Sequence, residues 1–440
     1  MHFDSFDDVT QWLDSFTPPF SSSPGLIREA RLDRMRLLLA ALGNPEDGFK
    51  AIHVAGSKGK GSTCRFISAM LAASGERTGL YLSPHLVDYR ERFTLDGAFF
   101  FDKDLIEVAC RLADVVEGFN LAPSYGFEKP TTFELYTAYA YMLFRHAGCT
   151  WAVVETGLGG RLDATNTLED VCSVITPIEL EHTAVLGDTI EKIAVEKSKI
   201  IKKDSIAVTG LLRDEAFDVM RREAARQGSR LVSLAHEIRS LETRTTLDGE
   251  VCNIAFRDGS SHSLRLSMPG EVQAQNAALA LLVAKTLGFY IQGTSEPALE
   301  KATLPGRFEI HVIDGVPVVI DVCHTRVSMI HTVSSFKALF SDARRTTCIF
   351  AAIEGKDITH MLQTVLSSFN RVIIGRPSSV KRSDSEAIWR QAIAMGADGV
   401  EILHIPDARQ ALDEALRTSD AVLVAGSFYL ATLFEEIARC

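Results

Sequence analysis

"HVAGSKGKGSTCRFISAM", residues 53–70, is the stretch from which the rest of the chain can be read. An apolar β-rich lead runs into a glycine-lysine turn and then into a helical pattern with apolar residues at three- and four-residue steps. Such a turn lets backbone N–H groups converge on phosphate oxygens, helped by the helix N-terminus. Gly56, Gly59 and Gly61 supply the permissive backbone, with Ser57 and Lys58 between them. Lys60 adds a point charge, and Ser62 and Thr63 add hydroxyls for a metal or phosphate. The spacing is G-x-x-G-K-G-S, two residues shorter at the front than the common phosphate loop. A plain glycine turn with a solvent lysine is the bland alternative. The strand before, the helix after and the lysine in place favour nucleotide binding.

Two further clusters follow apolar runs in the same way. In "VVETGLGGRLDATN", residues 153–166, Glu155 stands at the carboxyl end of a strand, where open α/β sheets bind ligands. A carboxylate there could hold Mg²⁺ against phosphates, since Mg²⁺ takes one or two carboxylates plus phosphate and water. "TPIELEHTAVLGDTIEKIAVEKSKIIK", residues 176–202, is a third strand exit followed by a helix. On residue chemistry alone, His182 reads as structural, and Lys192, Lys197 and Lys199 as a solvated face beside Glu191 and Glu196.

Short apolar runs alternate with longer helical patterns along most of the chain. "AIHVAG", "TGLYLS", "WAVVETG", "CSVITP" and "SIAVTG" are strand candidates separated by helix candidates, which predicts a mainly parallel sheet covered on both faces. After about residue 230, "VSLAHEIRSLETRTTLDGEVCNIAFRDGSSHSLRLSMPG" alternates polar and apolar residues around DG turns and predicts antiparallel hairpins. "NAALALLVAKTLG" returns to helix. "LPGRFEIHVIDGVPVVIDVCH" opens a second α/β series that continues through "TTCIFAAIEG", "NRVIIGRP", "GVEILHIP" and "DAVLVAGS". A boundary near Ala302 is expected, giving domains 1–301 and 302–440.

The length of 440 residues favours two or more domains. A net charge of -11 argues against a surface built for nucleic acid or anionic lipid. The opening "MHFDSFDDVTQWLDSF" has neither a basic nor an apolar signal region, and no apolar run nears the ~20 residues of a membrane span. Eight scattered cysteines offer no zinc or disulfide framework and suit reduced thiols. The expectation is a cytoplasmic protein with no nucleic-acid or membrane partner.

These clusters, in this order, resemble the folylpolyglutamate synthase / dihydrofolate synthase family of the Mur ligase superfamily. The similarity runs from "GNPEDGFKAIHVAGSKGKGS" through "LSPHLVDYRERF", "TTFELYTAYA", "ETGLGGRLDATN" and "EHTAVLGDTIEKIAVEKSKI" to "LPGRFE" and "AGSFYL". It implies an N-terminal P-loop ATPase-type domain, with a mainly parallel sheet and a smaller antiparallel one, and a C-terminal Rossmann-like glutamate ligase domain. The implied reaction phosphorylates a folate or dihydropteroate carboxylate with ATP and lets L-glutamate attack the acyl phosphate.

Carried over by matching position, Lys60 and the amides around Gly59 and Gly61 would hold the β- and γ-phosphates. Ser83 and Glu155 would bind a first Mg²⁺. His182 and a carbamylated Lys197 would bind a second, with K⁺ as an optional further cation. Asn276 would meet the adenine, Arg307 and Asp321 would reach the nucleotide from the second domain, and His324 joins Lys60, His182 and Lys197 as a catalytic residue. Thr132 and Phe133, in "TTFE", and Asp163 and Ala164 would wall the pterin pocket. The resemblance also implies a monomer.

The chain departs from the family pattern in three places. "DVCHTR", residues 321–326, stands where D-G-A-H-N-P is usual, so a different loop path is expected there. Glu181 replaces an aspartate in "LEHT", and Lys199 replaces a glycine. Two alternatives are a Mur-type ligase of a non-folate carboxylate and a nucleotide-binding protein without ligase activity. A UDP-sugar substrate is disfavoured, because only about 50 residues precede the phosphate loop, fewer than a typical domain. Retention of Lys60, Glu155 and His182 disfavours loss of activity.

Overall fold

The computed structural model describes residues 1–16, 30–377, 383–396 and 398–438. The chain divides into two compact units. The first comprises Met1–Ser240, Ile254–His262 and Gln275–Leu299; the second comprises Leu241–Asn253, Ser263–Ala274 and Glu300–Cys440.

The first unit is built on an eight-stranded sheet. Its strands are β1 (Lys50–Ala55), β2 (Thr78–Tyr81), β3 (Phe93–Leu95), β4 (Ala98–Phe99), β5 (Trp151–Glu155), β6 (Cys172–Ile175), β7 (Ile206–Thr209) and β8 (Arg230–Ser233), in the spatial order β4-β3-β2-β5-β1-β6-β7-β8. The run from β2 to β8 is parallel, and β3 and β4 add an antiparallel edge. Beyond their first residues the central strands are buried and mostly apolar, as a sheet covered on both faces requires. One core packs Ala51, Tyr81, Ala152 and Val154 under the helices Phe6–Asp14, Arg31–Ala41, Asp102–Gly118 and Thr132–His146. Another packs Ala55, Ile175 and Ala207 under Ile190–Ser198 and Asp214–Gln227. Each fully buried Leu, Ile, Val or Phe contributes roughly 1.5–3 kcal/mol to such cores.

Val232 and Ser233, expected to open the hairpin region, belong instead to β8, the parallel edge of this sheet. The preceding helix, Asp214–Gln227, ends on Gly228 in the left-handed conformation and returns the chain alongside β7. Leu234–Glu237, also expected in the hairpins, form a short helix, and the hairpins begin after it. β9 (Ile238–Thr246), β10 (Gly249–Phe256) and β11 (Ser261–Leu266) form a small antiparallel sheet in the order β11-β10-β9.

The second unit carries a six-stranded sheet of β12 (Glu309–Ile313), β13 (Val316–Ile320), β14 (Thr346–Phe350), β15 (Arg371–Ile374), β16 (Glu401–His404) and β17 (Ala421–Ala425), ordered β12-β13-β17-β14-β15-β16. β12 and β13 form an antiparallel hairpin, and the other pairings are parallel. Helices between the strands complete the Rossmann-like α/β layering.

Candidate active site

Strand order explains why motifs scattered over more than a hundred residues meet. β2, β5, β1 and β6 are neighbours in the sheet and all parallel. Their carboxyl ends therefore release "LSPHL", "TGLGG", "GSKGKGS" and "TPIELEHT" side by side, at the edge where such sheets bind ligands.

The phosphate loop is held by its neighbours rather than by itself. The N–H groups of Ser57 and Lys58 donate to the Pro177 carbonyl at 2.9 and 3.3 Å, and Ser57 Oγ donates to Glu179 O at 3.1 Å. The helix Lys60–Ala73 starts directly after Gly59, which takes φ +81°. A Cβ on Gly59 would also lie 2.3 Å from Asn276 Oδ1, so glycine is required twice over. Asn276 thus sits on the loop, where its Oδ1 accepts from Thr63 Oγ1 at 3.5 Å. Gly61 and Ser62 lie in the first turn of the helix, where backbone N–H groups lack intrahelical partners.

Glu155 faces this loop. Its Oε1 lies 3.9 Å from Lys60 Nζ, and its Oε2 accepts the Ser83 N–H at 3.1 Å. The two residues expected to share a cation are therefore adjacent, although Ser83 makes this contact through its main chain. A nearly buried carboxylate beside a serine and a phosphate loop offers the hard oxygen donors that suit Mg²⁺.

On the other side, Lys197 Nζ is buried and donates to Gly56 O at 2.7 Å and to Glu181 Oε1 at 2.9 Å. Burial drives the Lys197 pKa down to about 8, against the pull of Glu181. Burial would raise the Glu181 pKa, but Lys197, with Lys60 and Lys58 behind it, holds it at about 2. The "solvated lysine face" of the sequence does not describe Lys197. Lys192 and Lys199 do pair on the helix surface, with Asp188 at 2.7 Å and Glu223 at 2.8 Å. His182 is exposed and adopts the left-handed conformation at φ +47°, immediately after Glu181. As an ammonium Lys197 ligates nothing. A role for Lys197 as a cation ligand would require a carbamate on its nitrogen.

The residues expected around the acceptor also cluster. Thr131 and Glu134 form a reciprocal capping box that starts the helix Thr132–His146. Glu134 Oε1 takes two hydrogen bonds from Arg34, at 3.0 and 2.7 Å, in a pair that is almost wholly buried. This clamp fixes the first turn. Thr132 Oγ1 donates to Leu13 O at 3.0 Å, and the Phe133 ring lies so close to Gly157 that a Cβ there would come within 2.4 Å of it. Asp163 is buried and caps the 3₁₀ turn Ala164–Thr167, its Oδ2 accepting the Leu158 N–H at 2.7 Å.

In the second unit, Asp321 accepts the N–H groups of Phe308 and Cys323, at 2.9 and 2.8 Å, and the hydroxyl of Thr332 at 3.1 Å. It organises the segment around Arg307, with Phe308 left-handed at φ +52°. His324 Nδ1 lies 2.9 Å from Val322 O; a carbonyl only accepts, so Nδ1 carries a proton and the neutral ring's lone pair is on Nε2. The departures in "DVCHTR" keep the ordinary helix start. Thr325 caps Arg326–Leu339 through a capping box with Ser328, and Arg326 takes the first helical position, where proline is favoured.

Sequence reasoning missed the Arg34–Glu134 clamp and the Glu181–Lys197 pair. The T-x-x-E spacing of the capping box was the available signal for the first. None existed for the second.

Two family models match the chain: the Mur ligase middle domain over residues 103–284 and the Mur ligase glutamate ligase domain over residues 306–428. A dihydrofolate synthase/folylpolyglutamate synthase of Bacillus subtilis (strain 168) is 34% identical over 367 residues, covering 82% of this chain and 83% of the relative. A solved structure of Mycobacterium tuberculosis folylpolyglutamate synthase complexed with ADP has a TM-score of 0.87 at 27% identity, covering 98% of this chain and 97% of that one. E. coli FolC in complex with DHPP and ADP has a TM-score of 0.82 at 27% identity, with the same coverage of 98% and 97%.

Proposed function

Because the chain belongs to the folylpolyglutamate synthase and dihydrofolate synthase family of Mur ligases, we infer that it uses ATP to join L-glutamate to a folate or dihydropteroate carboxylate. ADP and phosphate are the other products. The observation that carries this reading is the facing pair Lys60 and Glu155 at 3.9 Å, on neighbouring strand exits beside the phosphate loop. Support for both acceptors comes from the relatives, which include an enzyme named for both activities and a structure holding DHPP and ADP.

A carboxylate is a poor electrophile, and phosphorylation gives it a leaving group. Lys60 and the first-turn amides at Gly61 and Ser62 are placed to neutralise the transferring phosphoryl group, which is where such catalysis does most of its work. Mg²⁺ held by Glu155 and Ser83 would supply further charge neutralisation. Asn276 backs the loop on the adenine side, and Thr132, Phe133, Asp163 and Ala164 line the acceptor pocket. His324, with Nδ1 protonated, suits acceptance of the proton that the glutamate amine loses on forming the amide. A second cation would be held by His182 with carbamylated Lys197, and Arg307 and Asp321 would serve the nucleotide from residues 302–440, the glutamate ligase domain. The match of the two family models to either side of Ala302 supports that division.

No helix among the described residues is long and apolar enough to cross a membrane. The described cysteines are free, which supports action in the reducing cytoplasm. A monomer is proposed, to be checked by sedimentation. The function is tested with purified protein, ATP, Mg²⁺ and glutamate, supplied with dihydropteroate or tetrahydrofolate. Glutamylated product and matching ADP are expected with both. No product with any folate would overturn the reading, and product with one alone would make the enzyme monofunctional.

A further inference from the structure

His53 is fully buried in the central strand β1, three residues before the phosphate loop, in a position where a strand ordinarily carries an aliphatic side chain. Its ring is not simply packed away. Nε2 lies 2.7 Å from Thr165 Oγ1, and Thr165 Oγ1 in turn donates to Asp163 Oδ1 at 2.6 Å. The same Oδ1 accepts the Thr165 N–H at 3.1 Å, and Oδ2 accepts the Leu158 N–H at 2.7 Å.

The direction of this chain follows from the donors available. The carboxylate only accepts, so the Thr165 hydroxyl proton points to Asp163 and its oxygen is left to accept from His53. Nε2 therefore carries the ring proton, and Nδ1 has no hydrogen-bond partner among the described residues. Burial, with Lys202 nearby, lowers the His53 pKa to about 3, so the ring stays neutral at any working pH and the polarity of the chain does not reverse.

We propose that His53 is a positioning residue for the acceptor: through Thr165 it fixes the Asp163 carboxylate so that Oδ2, beside the Leu158 amide, is presented to a hydrogen-bond donor of the pterin ring. This rests on the reading of Asp163 as a wall of the acceptor pocket. Three donors occupy the carboxylate in a fixed plane, two on Oδ1 and one on Oδ2. A carboxylate oxygen has two lone-pair sites, which leaves Oδ2 one more to offer. A pterin edge carries amide and amino N–H donors that match a fixed carboxylate. His53 stands on the strand that leads into the phosphate loop, so the same strand serves both substrates.

The test compares steady-state KM and kcat for acceptor and for ATP in His53→Leu, His53→Gln, Thr165→Val and Asp163→Asn. Losing a neutral hydrogen bond that aligns a binding group raises KM by up to about tenfold. His53→Leu and Thr165→Val should raise the acceptor KM by about that factor, with the ATP KM within twofold of the parent. His53→Gln, whose amide N–H₂ can reach as Nε2 does, should restore much of it. His53→Leu should add nothing in a Thr165→Val background. If His53→Leu does not fold, Thr165→Val and the glutamine variant carry the same comparison. The inference is overturned if His53→Leu or Thr165→Val leaves the acceptor KM unchanged, raises both KM values alike, or if glutamine fails to restore it. Asp163→Asn separates the two levels. If it leaves the acceptor KM unchanged, the pocket reading fails and the inference with it. If it raises that KM while the His53 and Thr165 variants do not, only the inference fails.

Discussion

Replacing Glu181 by alanine isolates the charge state of Lys197. The Lys197 side chain is 2% exposed, and its ammonium has Glu181 at 2.9 Å and the Gly56 carbonyl at 2.7 Å. Removing one partner of a buried pair costs about 3–5 kcal/mol, because the other charge is left uncompensated. For a unit of this size the loss corresponds to a fall in Tm of roughly 6–20 °C.

The pH dependence makes the prediction specific. A lysine whose folded pKa lies below its unfolded value leaves the unfolded chain holding the extra proton between the two, so stability rises with pH across that window. In the parent the window runs from about 8 to 10.5, so between pH 7 and 8 the lysine contributes only a few tenths of a kcal/mol. Without Glu181 the folded pKa drops further and the window opens below 7. The variant gains about 1.4 kcal/mol between pH 7 and 8, against a few tenths in the parent, so the gap narrows by about 1 kcal/mol.

Protein treated with chelator and depleted of CO₂ should be unfolded at both pH values. Trp12 and Trp151 in the first unit report by fluorescence, with Trp389 replaced by phenylalanine to silence the second unit. A variant as stable as the parent, or a gap that does not narrow, would refute the claim that Lys197 is an ammonium neutralised by Glu181.

Lys60→Ala should abolish ADP release while shifting Tm by no more than a degree or two, since this partly exposed lysine contributes little packing. Lys197→Ala should reduce turnover, and added formate or acetate should partly restore it if a carbamate supplies the second cation's ligand; parent-like turnover would remove Lys197 from the site. Arg34→Leu should cost about 3–5 kcal/mol through the buried Glu134 left behind, whereas Arg34→Leu with Glu134→Leu should recover much of it, as measured by urea unfolding. Thr325→Ala should cost about 0.5–2 kcal/mol in the second unit by removing the helix cap, read from Trp389 fluorescence.

What was legible in the sequence had a local physical cause. Gly56, Gly59 and Gly61 supply a permissive turn whatever surrounds them, and Glu155 ends an apolar run. What was not legible depends on strand order. Inserting β5 between β2 and β1, with β6 on the far side of β1, brings His53 to Thr165 and Gly56 to Lys197. Periodicity records that a segment is a strand but not which strand it lies beside, so partners 112 and 141 residues apart leave no pattern to read.

The "DVCHTR" loop shows the opposite limit. Its missing glycine, asparagine and proline leave the helix start intact, because the backbone there asks only for a side-chain acceptor at the cap and a residue tolerated at the first helical position. Thr325 and Arg326 meet those demands. The added bulk of Val322 and Cys323 is 7% and 4% exposed, and Cys323 joins the second unit's core beside Met329. The substitutions therefore enlarge the hydrophobic support under the loop while Asp321 keeps its three donors. Their consequence belongs to stability: Cys323→Ala should lower the Tm of the second unit by opening a cavity, with the KM for ATP unchanged. A raised ATP KM without loss of stability would show instead that the side chain reaches the nucleotide.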